Sequence, residues 1–586
     1  MSNDTLEADG FETEVRDGMR ISWDVPITMD DGNVLRADIY RPLEDGEYPV
    51  IMSHSPYGKA LSMQDAYAYA WNKIVKGAPN VLEGSTNTYQ AWEVVDPEKW
   101  VPDGYVCVRV DSRGGGRSPG YLDPFSPRET RDLYNCIEWA GTQPWSNGKV
   151  GLNGISYFAM NQWHVASLRP PHLAAICVWE GCSDHYRDCA RHGGIMCDFI
   201  GNWYRRQVVS VQHGVGENSA VSTMNGRHIS GDDTLPDEVR AENRADLPAE
   251  ILKRPFDGPY YRERSANFDA IEVPLLSAAN WGGMGLHPRG NFEGWARAAS
   301  TQKWLEVHGD SHFTPFYRQS GEDMHKRFFG HFLKGEDTGW LDQPPVQLNI
   351  RHPGEKFVKR DEQEWPLART EWTKFHLHPD PERLSTDAFQ GETTLDYDTT
   401  GEGLMFTTGP LEREIEITGP VAARLSLSSQ TEDADVFLAL RLFDPDGKEV
   451  LFVGSNDPKV PIGLGWLRAS QRKLNPDMST PWRPWHSHDE AWPLTPGDPV
   501  ALDVEILPTS IVVPVGYTLT LNLRGRDYEH DEPSDLPGSP YPVKGVGPFY
   551  HRNPADRPPE VFETTNTVHF GGGHENYLLL PIIPST

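Results

Sequence analysis

Apolar and polar positions along this chain change their period once, near its middle. From Ile27 to Pro42 the pattern is that of a hairpin: Asp31-Gly32 supplies the turn, and Leu35, Ala37 and Ile39 then alternate with Arg36 and Asp38. A buried strand is expected from Tyr48 to Ser53, running into His54-Ser55-Pro56-Tyr57-Gly58-Lys59. Residues 60–100 are rich in Trp and Tyr but keep no clean period, as in an irregular insertion with short helices. Strand-like Gly104 to Asp111 ends in the loop Ser112 to Ser118, and a helix from Arg128 to Gly141 carries Leu133, Ile137 and Ala140 on one face. Val150 to Leu152 and Leu173 to Trp179 are further strands, with a helix from about Tyr157 between them. Strands alternating with helices predict a mainly parallel sheet covered on both faces.

Residues 181–270 interrupt the alternation and are expected to form a helical cap. The sheet resumes at Val273 to Ala279 and Lys303 to Val307, and a helix from Met324 to Leu333 closes the unit. From about Pro344 short β-patterned runs take over, among them Phe375 to Leu377, Val421 to Leu427, Val436 to Phe443, Val500 to Ile506 and Thr518 to Leu523, separated by Pro- and Gly-rich turns. That is the pattern of a β-sandwich. The expected division is an α/β unit from 1–180 and 271–343, a helical cap at 181–270, and a C-terminal β-sandwich at 344–586.

At 586 residues the chain is too long for one hydrophobic core. A net charge of −31 disfavours nucleic acid or an anionic membrane surface as partner. No apolar run approaches the roughly 20 residues that span a bilayer. The N-terminus shows no basic segment followed by an apolar core, so a cytoplasmic protein is expected. The six cysteines contain no C-x-x-C pair, so they are read as free thiols and no cysteine zinc site is expected. Composition leaves a homo-oligomer open.

The most informative stretch is Lys149-Val-Gly-Leu-Asn-Gly154-Ile-Ser156-Tyr157-Phe158. A strand, a sharp turn with Gly two before a Ser, then a helix is the nucleophile elbow of an α/β-hydrolase. The helix aims its free N–H groups and positive dipole end at the place where an oxyanion would form. The full pattern is G-x-S-x-G, and Phe158 stands where its last Gly would be. A Ser hydroxyl needs a base. His308 and His312, on the loop after strand 303–307, are the two candidates. The loop after Asp111 lacks a G-K-[ST] ending, so it is no P-loop. No cofactor motif is present. His486-Ser-His-Asp-Glu490 and Gly573-His-Glu575 have metal-like residue types but are expected on solvated loops.

With those residues placed, the chain resembles the serine-hydrolase family of cocaine esterase, α-amino-acid ester hydrolases, glutaryl acylases and X-prolyl dipeptidyl-peptidases. Pro56-Tyr57-Gly58-Lys59 looks like its oxyanion Tyr segment, and Val110 to Ser118 like its D-x-R-G-x-G-x-S loop. Trp139, Gln143 to Gly151 and Gly154-Ile-Ser156-Tyr157 match its most specific stretch. Phe329 to Gly335 and Pro344-Pro-Val346 resemble the join to its C-terminal jelly-roll domain. The resemblance implies Ser156 as nucleophile, His312 as base, and an oxyanion hole made by the Tyr57 hydroxyl and the Tyr157 N–H.

The family carries its acid in a G-W-x-D segment. Here that segment is Asn280-Trp281-Gly282-Gly283, and Gly has no side chain to orient an imidazole. The acid's role is geometric rather than positional. Glu180, where the preceding strand runs out, is the expected replacement, with Asp184 and Asp310 as alternatives. The expected function is a cofactor-free, metal-free serine hydrolase acting on a small-molecule ester or amide. An X-prolyl peptidase is the runner-up, and a non-catalytic ligand-binding member follows from a lost acid.

Overall fold

One long twisted sheet organises the chain up to Glu362. In the computed structural model, which describes residues 5–6, 11–533 and 542–584, it has 12 strands. Its parallel centre runs, in spatial order, through Val106–Asp111, Tyr48–Ser55, Ser146–Ile155, Leu173–Trp179, Leu275–Asn280, Lys303–His308 and Val346–His352. Most residues of these central strands are buried, as continuous apolar runs require when helices cover both faces. The helices Pro127–Gly141 and Tyr157–Ala166 pack on it. The expected hairpin is formed by Met19–Thr28 and Val34–Arg41.

Both edges extend further than the hydrophobic pattern suggests. Glu12–Arg16, inside the polar N-terminal stretch, pairs with Met19–Thr28. At the other edge Val346–His352 and Lys356–Glu362 add to the sheet, which therefore runs past residue 344. Arg351 then reaches out of this sheet and donates to the carbonyls of Ser510 and Ile462 and to Thr509 Oγ1, all in the second unit. On the connection, Trp340 is buried edge-on against Trp304 and Phe328, while its neighbour Leu341 is 55% exposed.

Between Leu173–Trp179 and Leu275–Asn280 the segment expected as a cap is helical only in short pieces. The longest of its α-helices is Leu247–Lys253. Gly, Ser, Asn and Asp crowd residues 213–236 and favour turns over helix propagation. A small hairpin, Arg191–His192 with Ile195–Met196, is also present.

From Glu371 to Ile583 an 11-stranded sheet forms a second core. It closes on itself because Tyr577–Ile583 pairs both with Glu371–Pro379 and with Ile415–Ser429. No helix among the described residues is long and apolar enough to cross a membrane. All six cysteines are unpaired and buried.

Candidate active site

Ser156 stands where the strand Ser146–Ile155 meets the helix Tyr157–Ala166, with its backbone at φ 59° and ψ −115°. A side chain is strained at that φ and persists only where neighbours hold it. Here the Ser156 N–H donates to the carbonyls of both Trp179 and Glu180, at 3.1 Å each. Gly154 lies at φ 153°, and a Cβ there would sit 2.5 Å from Phe158 Cβ and 3.1 Å from the Glu93 carbonyl oxygen. That carbonyl accepts from the Ile155 N–H at 3.0 Å. The elbow is thus pinned to the end of the next strand on one side and to residue 93 on the other.

Glu180 is fully buried, at φ 48°, just beyond Trp179. Its N–H donates to Ala278 O at 2.7 Å, which fixes the turn against the neighbouring strand. Its carboxylate accepts four hydrogen bonds. Oε2 receives His312 Nδ1 at 2.8 Å and Ser455 Oγ at 2.7 Å; Oε1 receives Asn280 Nδ2 at 3.1 Å and His308 Nε2 at 3.2 Å. Burial pushes this carboxyl up, but the two imidazoles outweigh it and hold the group well below the usual carboxylate range. For His312 the balance has the opposite sign. Burial lowers its pKa, and Glu180, then Glu93, more than reverse that, to about 10.

The alternative carboxylates point elsewhere. Asp184 accepts from the Tyr186 and Arg187 N–H groups and pairs with the Arg187 guanidinium. Asp310 pairs with Arg318. A Cβ at Gly283 would lie 2.9 Å from Ser455 Oγ, so a side chain there would push on the residue that donates to Glu180. Asn280 and Trp281 keep structural parts of their segment, Asn280 bridging Glu180 to Asp310 O and Trp281 Nε1 donating to Asn349 O. His308 ends its strand, bonded to Glu306 (2.6 Å) and Glu180, with its ring stacked on Trp179.

Tyr57 packs its ring against Tyr157 and Phe158 of the elbow helix, and its hydroxyl accepts from Trp203 Nε1 at 2.8 Å. The loop behind it is anchored by a buried cation. Lys59 Nζ contacts Asp24 at 2.7 Å and Asp38 at 2.9 Å, while the Lys59 N–H donates to Asp111. The Tyr157 hydroxyl donates to Glu129 Oε2 at 2.5 Å.

Three residues of the site carry no sequence signal. Glu93, buried at φ 59° in the aperiodic Trp-rich stretch, places Oε1 3.1 Å from His312 Nε2, and burial raises its pKa. Ser455 comes from the second unit; besides its bond to Glu180, its carbonyl accepts from the His312 N–H. His287 stacks flat on His312, ring centres 5.3 Å apart. Only a three-dimensional arrangement brings these to His312. One expectation is corrected: His486 and His488 lie on no solvated loop but are buried, 6% and 3% exposed, with His488 Nδ1 on Gln471. Aromatic and Arg partners from the 181–270 segment, Tyr186 and Arg187, cover them.

Residues 31–314 match the sequence model of X-Pro dipeptidyl-peptidase (S15 family), and residues 338–579 that of the X-Pro dipeptidyl-peptidase C-terminal non-catalytic domain. Cocaine esterase of Rhodococcus sp. is 24% identical, over 96% of this chain and 98% of that protein. A crystal structure of a CocE/NonD family hydrolase from Staphylococcus aureus superposes with a TM-score of 0.83 at 29% identity, covering 100% of this chain and 96% of that one. An aminopeptidase from a Thaumarchaeota archaeon shares the fold at 14% identity, with a TM-score of 0.70 and 97% of each chain covered. With its catalytic part and its C-terminal domain both matched in order, this chain belongs to the S15-like family of serine hydrolases that includes cocaine esterase and the X-prolyl dipeptidyl-peptidases.

Proposed function

We propose that the chain is an acyl esterase working through an acyl-enzyme on Ser156. His312 takes the Ser156 proton as Oγ attacks the ester carbonyl, then returns it to the leaving alkoxide; water repeats the cycle and frees the acid. Glu180 holds the imidazole by Nδ1, which leaves Nε2, now 3.1 Å from Glu93 Oε1, to serve Ser156, and it stabilises the imidazolium that forms. The Tyr57 hydroxyl and the Tyr157 N–H receive the oxyanion. Residues 181–270 serve as a cap over this centre and the closed second sheet as a jelly roll. The observation that carries the reading is the four-bonded Glu180 carboxylate, 2.8 Å from His312 Nδ1, beside a Ser held at φ 59°. Six buried, unpaired thiols support a reducing, cytoplasmic setting.

The runner-up is amide hydrolysis at a free amino terminus, as in X-prolyl dipeptidyl-peptidases. Glu93 is the observation in its favour, since a buried carboxylate beside the reacting centre can pair with a substrate ammonium. A fluorophosphonate should modify Ser156 alone, and not at all in Ser156→Ala. Turnover of an acetyl or benzoyl aryl ester exceeding that of an Xaa-Pro anilide supports the esterase; the reverse order supports the peptidase. An unmodified Ser156 contradicts both.

A further inference from the structure

Away from Ser156, His192 and Cys197 on the hairpin segment of residues 191–197 meet His551 of the second unit. All three are buried, 4%, 1% and 0% exposed. One ligand atom from each lies within 4.8 Å of the others. His192 Nδ1 and His551 Nε2 face each other at 2.8 Å. Their outward nitrogens meet acceptors only: His551 Nδ1 lies 2.8 Å from Asp527 Oδ1, and His192 Nε2 lies 3.3 Å from the Asp188 carbonyl.

Proton counting makes this arrangement informative. If each neutral ring gives its one N–H to its outward acceptor, two lone pairs converge at 2.8 Å with nothing between them. Either His192 turns its N–H to His551 Nε2 and leaves the 3.3 Å Asp188 carbonyl without a donor, or a cation, a proton or a metal ion, sits between the rings. We infer that His192 Nδ1, His551 Nε2 and Cys197 Sγ form a metal site of the zinc class with three protein ligands, which joins the 181–270 segment to the C-terminal unit. Two imidazoles and a thiolate suit Zn²⁺. Carbonyl and carboxylate partners on the far ring nitrogens are the usual supports of metal-bound His. Asp527 is itself fixed, its Oδ2 accepting the His551 N–H. A divalent ion, one thiolate and the Asp527 carboxylate sum to zero charge, as a buried site walled by the Trp466 and Phe437 rings needs. Binding would expel the thiol proton and the proton shared by the two rings, and open the N···N gap to about 3.3 Å, from Zn–N bonds of ~2.0–2.1 Å at a tetrahedral angle.

The test uses the full-length chain without a polyhistidine tag, made in zinc-supplemented medium and dialysed against metal-free buffer. It should keep about one zinc per chain by elemental analysis. After exchange with Co²⁺ it should show a thiolate-to-cobalt charge-transfer band that Cys197→Ser abolishes. Asp527→Asn should weaken zinc affinity by about 10–100-fold. Far fewer than one zinc in the wild type, a cobalt complex without the thiolate band, or a band that survives Cys197→Ser overturns the site and leaves a proton-bridged pair of imidazoles in its place. Should Cys197→Ser fail to fold, zinc content and the cobalt spectrum of the wild type still decide.

Discussion

At the scale of single residues, His312 is held between two carboxylates, Glu180 on Nδ1 and Glu93 on Nε2. In the proposed mechanism only the first position is useful to a general base, because Nε2 must be open to take the Ser156 proton. An anionic Glu93 favours the imidazolium and so raises the pH at which the base form appears. Glu93→Gln removes that charge, so the His312 pKa falls. The acid limb of the kcat/KM profile, which reports the free enzyme, should therefore move to lower pH; an unmoved or upward-shifted limb contradicts the contact. Tyr57 makes a second residue-level prediction. Tyr57→Phe should lower kcat by about 10²–10³. The lost hydroxyl also strands Trp203 Nε1, its 2.8 Å partner, which should lower stability by roughly 1–3 kcal/mol in denaturant unfolding. An unchanged kcat removes Tyr57 from the oxyanion hole.

At the scale of elements, the elbow works because two other segments brace it. Gly154→Ala would drive a Cβ to 2.5 Å from Phe158 Cβ, at a φ that disfavours any side chain. A stability loss of about 1–3 kcal/mol is expected, with a parallel loss of Ser156 labelling; a neutral substitution would mean the elbow tolerates more slack than these distances allow. Much of the parallel sheet was legible, because continuous apolar strands, a 3.6-period helix over 128–141 and the Gly154-Ile-Ser156 turn each carry a local signal. The contact of Glu180 with His312 was legible as well, because a carboxylate stands where a strand runs out. Glu93 was not. It sits in a stretch with neither helix nor strand period, and its role depends on a positive φ and a contact with a residue far along the chain. The buried His486 and His488 were misread for a related reason: polar, Pro-rich composition resembles a solvated loop, and burial there comes from a covering segment distant in sequence.

On the scale of the whole molecule, the two units share one site. The C-terminal domain matches a model described as non-catalytic, yet Ser455 donates to the Glu180 oxygen that also receives His312. The chain division read from periodicity placed the change at 344, whereas the first sheet completes itself only at Glu362. A fragment ending at 362 is thus the fair test of independence. It should be poorly soluble, having uncovered Arg351 and the face that meets the second core, and should lose esterase activity; a soluble fragment of wild-type activity contradicts the shared site. The most direct measurement of the account is steady-state and burst kinetics of Glu180→Gln beside Asp184→Asn and Asp310→Asn, on one aryl ester and with folding checked by circular dichroism. Relocation of the acid to Glu180 predicts a kcat loss of about 10⁴-fold in Glu180→Gln and near wild-type turnover in the other two. A folded Glu180→Gln enzyme with wild-type kcat would contradict it.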